Sequence, residues 1–143
     1  MAIVYFDSSA LVKLVVDEVG SDIAAALWNG CDTALSSRLA YPEVCAALAA
    51  TGRNHDLTES EASAAAVEWA AFWASMRPVE LSADVEQAAG ELTARHQLRG
   101  AEAVHLASAL ALGSMDLTIA VWDKRLHAGA AAAGLAVAPA NLD

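Results

Sequence analysis

Two short apolar runs, each halted by an aspartate, constrain this chain more than any other feature. Ile3-Val4-Tyr5-Phe6 stops at Asp7, and Leu117-Thr118-Ile119-Ala120-Val121-Trp122 stops at Asp123. Both runs are rich in β-branched and aromatic residues, as expected of strands buried on both faces. The sequence between them is dominated by helical periodicity. Buried strands alternating with helices imply an α/β domain with a mainly parallel sheet covered on both sides. In open sheets of this kind, ligands bind beyond the carboxyl ends of the strands, which is where the two aspartates fall.

The remaining elements are placed by spacing and punctuation. Ser8 and Ser9 open a helix with Leu11, Leu14 and Val15 at helical spacing, fading near Gly20; a second helix is expected over Asp22 to Trp28. Thr33 to Ser36 is a strand candidate. Pro42 suits the first turn of the next helix, whose inner stripe is Val44, Ala47, Leu48 and Thr51 and which Gly52 should terminate. Thr58-Glu59-Ser60-Glu61 has the form of a capping box for a long helix carrying Trp69, Phe72 and Trp73. Pro78 should break that helix and leave Val79-Glu80-Leu81 as a short strand. Helices follow over Ser82 to Gln97 and Ala101 to Leu112, then another through Leu126 and the alanine run, with Leu135-Ala136-Val137 as the last strand.

With 57% hydrophobic residues in 143, the chain has ample surface to bury, which excludes a disordered chain. Residues 1–143 read as one domain, since no linker, repeat or low-complexity stretch divides them. A mean hydropathy of +0.38 does not imply a membrane span. The longest charge-free stretch, Leu126 to Leu142, contains His127, Gly129, Gly134, Pro139 and Asn141. The first apolar run lacks a preceding basic region and is interrupted by Asp7 and Lys13, so no export signal is read and a cytoplasmic location is expected. Two cysteines, Cys31 and Cys45, are too few for a disulfide framework or a structural zinc site and are expected to be reduced and buried.

A net charge of −10 and a pI near 4.6 argue against a simple electrostatic nucleic-acid binder. Acids gathered around a divalent metal are the exception, because they add to the negative charge while serving phosphate chemistry. Four acids sit at element ends: Asp7 and Asp123 after the two strands, Glu43 in the first turn after Thr33–Ser36, and Glu102 in the first turn after Gly100. Singly, each is explained as a helix cap or as a complement to the macrodipole. Together in one cleft they would repel and raise one another's pKa unless a cation were present. Mg²⁺ and Mn²⁺ prefer such oxygen ligands, and the matching reaction is metal-assisted hydrolysis of a phosphodiester.

At these residues the sequence resembles PIN domains, specifically the VapC-type toxins of bacterial toxin–antitoxin pairs. The resemblance runs from Val4-Tyr5-Phe6-Asp7-Ser8-Ser9-Ala10-Leu11-Val12-Lys13-Leu14 through Ser36–Leu48 and Arg99–Ala107 to Asp123-Lys124-Arg125-Leu126. It implies a PIN-like three-layer α/β/α sandwich and a metal-dependent endoribonuclease that is neutralised by a cognate antitoxin and forms a homodimer. The family's four acids fall on Asp7, Glu43, Glu102 and Asp123. Asp7 and Glu102 would be the principal Mg²⁺ (or Mn²⁺) ligands, with Glu43 and Asp123 acting directly or through water. Ser8 or Ser9 would bond a carboxylate or the scissile phosphate; of the basic residues Lys13, Arg38, Arg99, Lys124 and Arg125, some, with Arg99 and Arg125 foremost, would contact the RNA backbone, the alternative being that they offset nearby acids on the surface. Two departures stand out. The third acid is usually aspartate, whereas Glu102 reaches about 1.5 Å further, and Val121-Trp122 replaces the serine or threonine often found before the fourth.

Glu102-x-x-His105 also matches a di-iron ligand spacing, but a second pair is missing, so His105 reads as a histidine bonded to a neighbouring element. His55, His96 and His127 receive no role. Trp69, Phe72 and Trp73 read as a packing or interface stripe, and Trp28 and Trp122 as core or rim. The rivals are a phosphatase, which wants an aspartate where Ser9 stands, a receiver domain, which wants an acid beside Asp7, and a PIN-like binding module without activity.

Overall fold

A computed structural model describes residues 1–53 and 57–142. Five strands and seven helices occur among them: β1 (Ile3–Phe6), α1 (Ser8–Val15), α2 (Ser21–Gly30), β2 (Thr33–Ser37), α3 (Ala40–Arg53), α4 (Glu59–Ala74), β3 (Arg77–Val79), α5 (Ala83–Arg95), α6 (Gly100–Ala111), β4 (Leu117–Ala120), α7 (Lys124–Ala132) and β5 (Ala136–Ala138). The strands form one parallel sheet in the order β3-β2-β1-β4-β5. The connection steps outward from β1 to β2 and β3, then returns to lay β4 on the other side of β1. The topological switch therefore lies between β1 and β4, and ligands bind at such crevices in open α/β sheets.

Strand alternation divides the core between the two faces of the sheet. Tyr5, Leu35 and Ile119, which are register partners, point into a cluster with Val85, Leu92 and Leu106 from α5 and α6 and Leu126 from α7. Val4, Phe6, Ala34 and Ala120 point the other way, against Leu11, Val44, Leu48 and Trp69 from α1, α3 and α4. Helices on both faces of the sheet give the expected three-layer α/β sandwich. Burying each large side chain of these clusters is worth about 1.5–3 kcal/mol, so the central strands are the firmest part of the scaffold.

Several boundaries differ from the sequence reading. The strand expected at Val79-Glu80-Leu81 is Arg77–Val79, with Pro78 inside it. Proline is tolerated there because β3 is an edge strand, which leaves one side of its backbone unpaired. The first helix ends at Val15 rather than fading near Gly20, and Gly52 lies in the last turn of α3 instead of beyond it. Strand β4 leaves the ladder at Ala120, although Val121 N still donates to the Ala138 carbonyl at 2.9 Å. The capping box at Thr58 is formed, with Thr58 Oγ1 accepting from Glu61 N and Glu61 Oε1 from Thr58 N. Cys31 and Cys45 are free and half-buried, not fully buried. His55 lies outside the described residues.

Candidate active site

Asp7 begins where β1 ends. Its backbone N–H donates to the Ala120 carbonyl at 3.0 Å, and its side chain caps α1. Oδ2 accepts from Ser9 Oγ at 2.6 Å and from Ser9 N at 3.2 Å. Ser9 Oγ in turn accepts from Trp122 N at 2.9 Å, the amide that β4 releases on leaving the sheet. One serine thus fastens the buried Asp7 carboxylate to the ends of both switch-point strands.

Glu43 reaches the same place from the first turn of α3. Its Oε1 accepts from His105 Nε2 at 2.6 Å. His105, 1% exposed on α6, has its Nδ1 2.8 Å from the Tyr5 hydroxyl, while its Nε2 lies 3.5 Å from Asp7 Oδ1. Burial pulls the imidazole pKa down, but the hydrogen bond to Glu43 and the charges of Asp7 and Glu43 outweigh it and leave the pKa raised. The Tyr5 phenol is pushed well above its ordinary value by burial and by the Asp7 charge, so it stays neutral.

The other two acids stand at helix starts. Glu102 Oε2 accepts from Arg99 N at 2.8 Å, folding back over the N-terminus of α6, and lies 3.9 Å from Arg125 Nη1. Asp123, exposed, caps α7 through Oδ1 and Leu126 N at 2.9 Å. All four acids line one cleft of about 510 Å³, together with Ser8, Ser9, Arg99 and His105. Each carboxylate has one oxygen committed to a hydrogen bond, and its other oxygen has none among the described residues. This all-oxygen donor set suits a hard divalent cation. Among the described residues, the side chains ring the cleft without any three acids, histidines or cysteines converging on one point.

The helix-cap and site readings of Asp7 and Asp123 are not alternatives in this geometry, because the caps themselves aim the carboxylates. His105 does bond a neighbouring element, but that element carries Glu43, which makes the histidine part of the site's framework. The sequence held no signal for that partner, since residues 43 and 105 meet only in the fold. The basic residues divide. Arg99 lines the cleft and Arg125 approaches Glu102. Lys13 is committed elsewhere: its ammonium binds Glu18 Oε1 and the Val19 carbonyl and sits over the Trp122 ring. Arg38 pairs with Glu80 at the exposed end of β3, away from the cleft lining. The buried Trp69 clusters with Tyr41 and Trp73, and Phe72 meets Trp28, so much of that stripe is packing.

Known proteins share this fold and, in two cases, most of this sequence. The PIN domain family model matches residues 4–128. Ribonuclease VapC45 of Mycobacterium tuberculosis (strain CDC 1551 / Oshkosh) is 67% identical over 143 residues, covering 100% of this chain and 99% of that protein. Ribonuclease VapC49 of the H37Rv strain shows the same identity and coverage. Among solved structures, M. tuberculosis VapC20, described as a sarcin-ricin loop cleaving toxin, superposes with a TM-score of 0.66 at 20% identity, covering 92% of this chain and 95% of that one. A toxin–antitoxin complex from Klebsiella pneumoniae gives 0.65 at 16% identity, with 100% of both chains covered. At those identities the structures speak for the fold; the family match and the two full-length relatives establish that the chain belongs to the PIN-domain family, among its VapC-type members.

Proposed function

We propose that the chain is a divalent-metal-dependent endoribonuclease, the toxin of a toxin–antitoxin pair. The observation that carries this reading is the meeting of Asp7, Glu43, Glu102 and Asp123 in one cleft at the β1/β4 switch point. The two VapC relatives, named as ribonucleases, supply the substrate class. Asp7 and Glu102 would hold Mg²⁺ or Mn²⁺, with Glu43 and Asp123 completing the set directly or through water. Such an ion supplies Lewis acidity, making water more acidic and offsetting charge on the phosphate.

The chain's own residues do the rest. Ser9 keeps Asp7 Oδ2 occupied, so its Oδ1 is the oxygen left for the cleft. The caps on α1 and α7 hold Asp7 and Asp123 against positive helix ends, which eases the repulsion among four carboxylates before any ion arrives. Arg99 and Arg125 flank the acids and would engage phosphates on either side of the scissile bond. A cognate antitoxin would restrain the activity, its basic segment matching the acidic surface. The working form would be a homodimer.

The test is cleavage of a panel of structured RNAs by purified, antitoxin-free protein, with Mg²⁺, Mn²⁺ or EDTA. Asp7→Asn, run in parallel, should fold normally and lose cleavage by at least about 100-fold, the upper range for loss of a group supporting a metal site. Cleavage that survives EDTA or Asp7→Asn overturns the metal mechanism. Silence of folded protein across the panel with both ions would favour a binding module instead.

A further inference from the structure

We propose that His105, held at its other edge by Tyr5, is a positioning residue that fixes the Glu43 carboxylate at the cleft. The inference rests on the reading of Glu43 as a site carboxylate. Its basis is a chain of three hydrogen bonds across four elements. Ser37 N donates to Tyr5 Oη at 3.0 Å, Tyr5 Oη lies 2.8 Å from His105 Nδ1, and His105 Nε2 lies 2.6 Å from Glu43 Oε1.

The groups at the two ends of this chain fix the direction of its outer links in either charge state of the imidazole. A backbone N–H can only donate, so the phenol oxygen accepts from Ser37. The neutral phenol then has one proton to give, and Nδ1 is placed to take it. An ionised carboxylate can only accept, so Nε2, the nitrogen that faces Glu43, carries a proton, and in the neutral ring Nδ1 is left to accept from the phenol. Tyr5, Ser37 and His105 are essentially sealed from solvent, at 0%, 0% and 1% exposure, so water cannot stand in for a missing link. Glu43 is the partner that reaches the cleft, on a flexible side chain 28% exposed. The buried network gives that carboxylate a fixed anchor on one oxygen and leaves the other to the cleft. His105 is too enclosed to meet substrate itself, so its action passes through Glu43.

Two isosteres separate positioning from mere core filling. A glutamine amide can place its nitrogen where Nε2 sits, whereas an asparagine reaches only the Nδ1 position. In His105→Gln, Mn²⁺ affinity by calorimetry and kcat should stay close to wild type. In His105→Asn, both should fall by about 10- to 100-fold with little change in KM, the usual cost of losing a partner that orients a metal-site ligand. Tyr5→Phe should also weaken Mn²⁺ binding, because the ring loses the hydrogen bond that holds its other edge. Equal losses in the Gln and Asn variants would overturn the positioning role, and unchanged binding in Tyr5→Phe would overturn the part given to Tyr5. Glu43→Gln tests the underlying reading separately: full metal affinity and cleavage there would remove Glu43 from the site. Should His105→Asn fail to fold, Tyr5→Phe in the Glu43→Gln background carries the test. No loss beyond that of Glu43→Gln alone supports the relay, and an additive loss overturns it.

Discussion

Glu102 shows how one methylene can divide a side chain between two tasks. Its carboxylate lines the cleft, yet one oxygen bonds Arg99 N at the start of its own helix. An aspartate at the same place is too short to make that bond in the same way and would present its charge to the cleft. Glu102→Asp should therefore lower stability in urea by about 1 kcal/mol, the net worth of one hydrogen bond. It should also raise the ratio of Mg²⁺- to Mn²⁺-supported cleavage rates, since Mg²⁺ is the stricter about geometry; an unchanged ratio would show that the extra reach is not what governs metal choice. The acids were legible from sequence because a charge that ends a buried strand or opens a helix is a local signal. The partners of His105 were not, because residues 5, 37, 43 and 105 meet only once the sheet is assembled. The partners of Lys13 were out of reach for a related reason: its capture by Glu18, Val19 and Trp122 depends on how the turn after α1 folds back.

Among the elements, the clearest sequence signals were those with their own chemistry. The capping box of α4 needs only Thr58 and Glu61, and it formed where it was read. Thr58→Ala should lower stability by about 1 kcal/mol and leave the cleavage rate per folded molecule untouched. Strand β3 lies two residues earlier than its local sequence suggests, because position in the sheet decides whether the missing N–H of proline matters. Gly20, read only as the fading point of a helix, has a tighter role. It adopts φ +95°, and a Cβ there would lie 2.8 Å from the Trp122 indole nitrogen. Lys13 lies 5.3 Å from the centre of the same ring. Gly20→Ala should cost about 1–3 kcal/mol from the left-handed backbone alone. Because Trp122 precedes Asp123, cleavage should fall too; a loss of stability within that range with unchanged cleavage would show that the ring yields freely.

Over the whole molecule, charge sets the terms on which RNA can be held. Setting aside the four acids of the cleft, the chain still carries six surplus negative charges. Arg99 lines the cleft and Arg125 lies 3.9 Å from Glu102, so two phosphate contacts are assigned to them. Binding of single-stranded RNA to Asp7→Asn should thus weaken only gently with salt, with a log–log slope near −1.4, about −0.7 for each of two phosphate contacts. Fluorescence anisotropy across a salt series measures it, and a much steeper slope would reveal a basic surface elsewhere. The architecture itself was legible because strands buried on both faces leave few alternatives to a covered parallel sheet. The order of the strands was not, since nothing local says that the chain returns across β1 to place β4. That return puts the four acids at positions 7, 43, 102 and 123, one in each of four distant stretches of chain. A single peptide-bond cut anywhere between Asp7 and Asp123 therefore leaves the site shared by two polypeptides. Residual cleavage by a nicked preparation would then report whether the sheet alone, without a covalent link, can keep an active enzyme together.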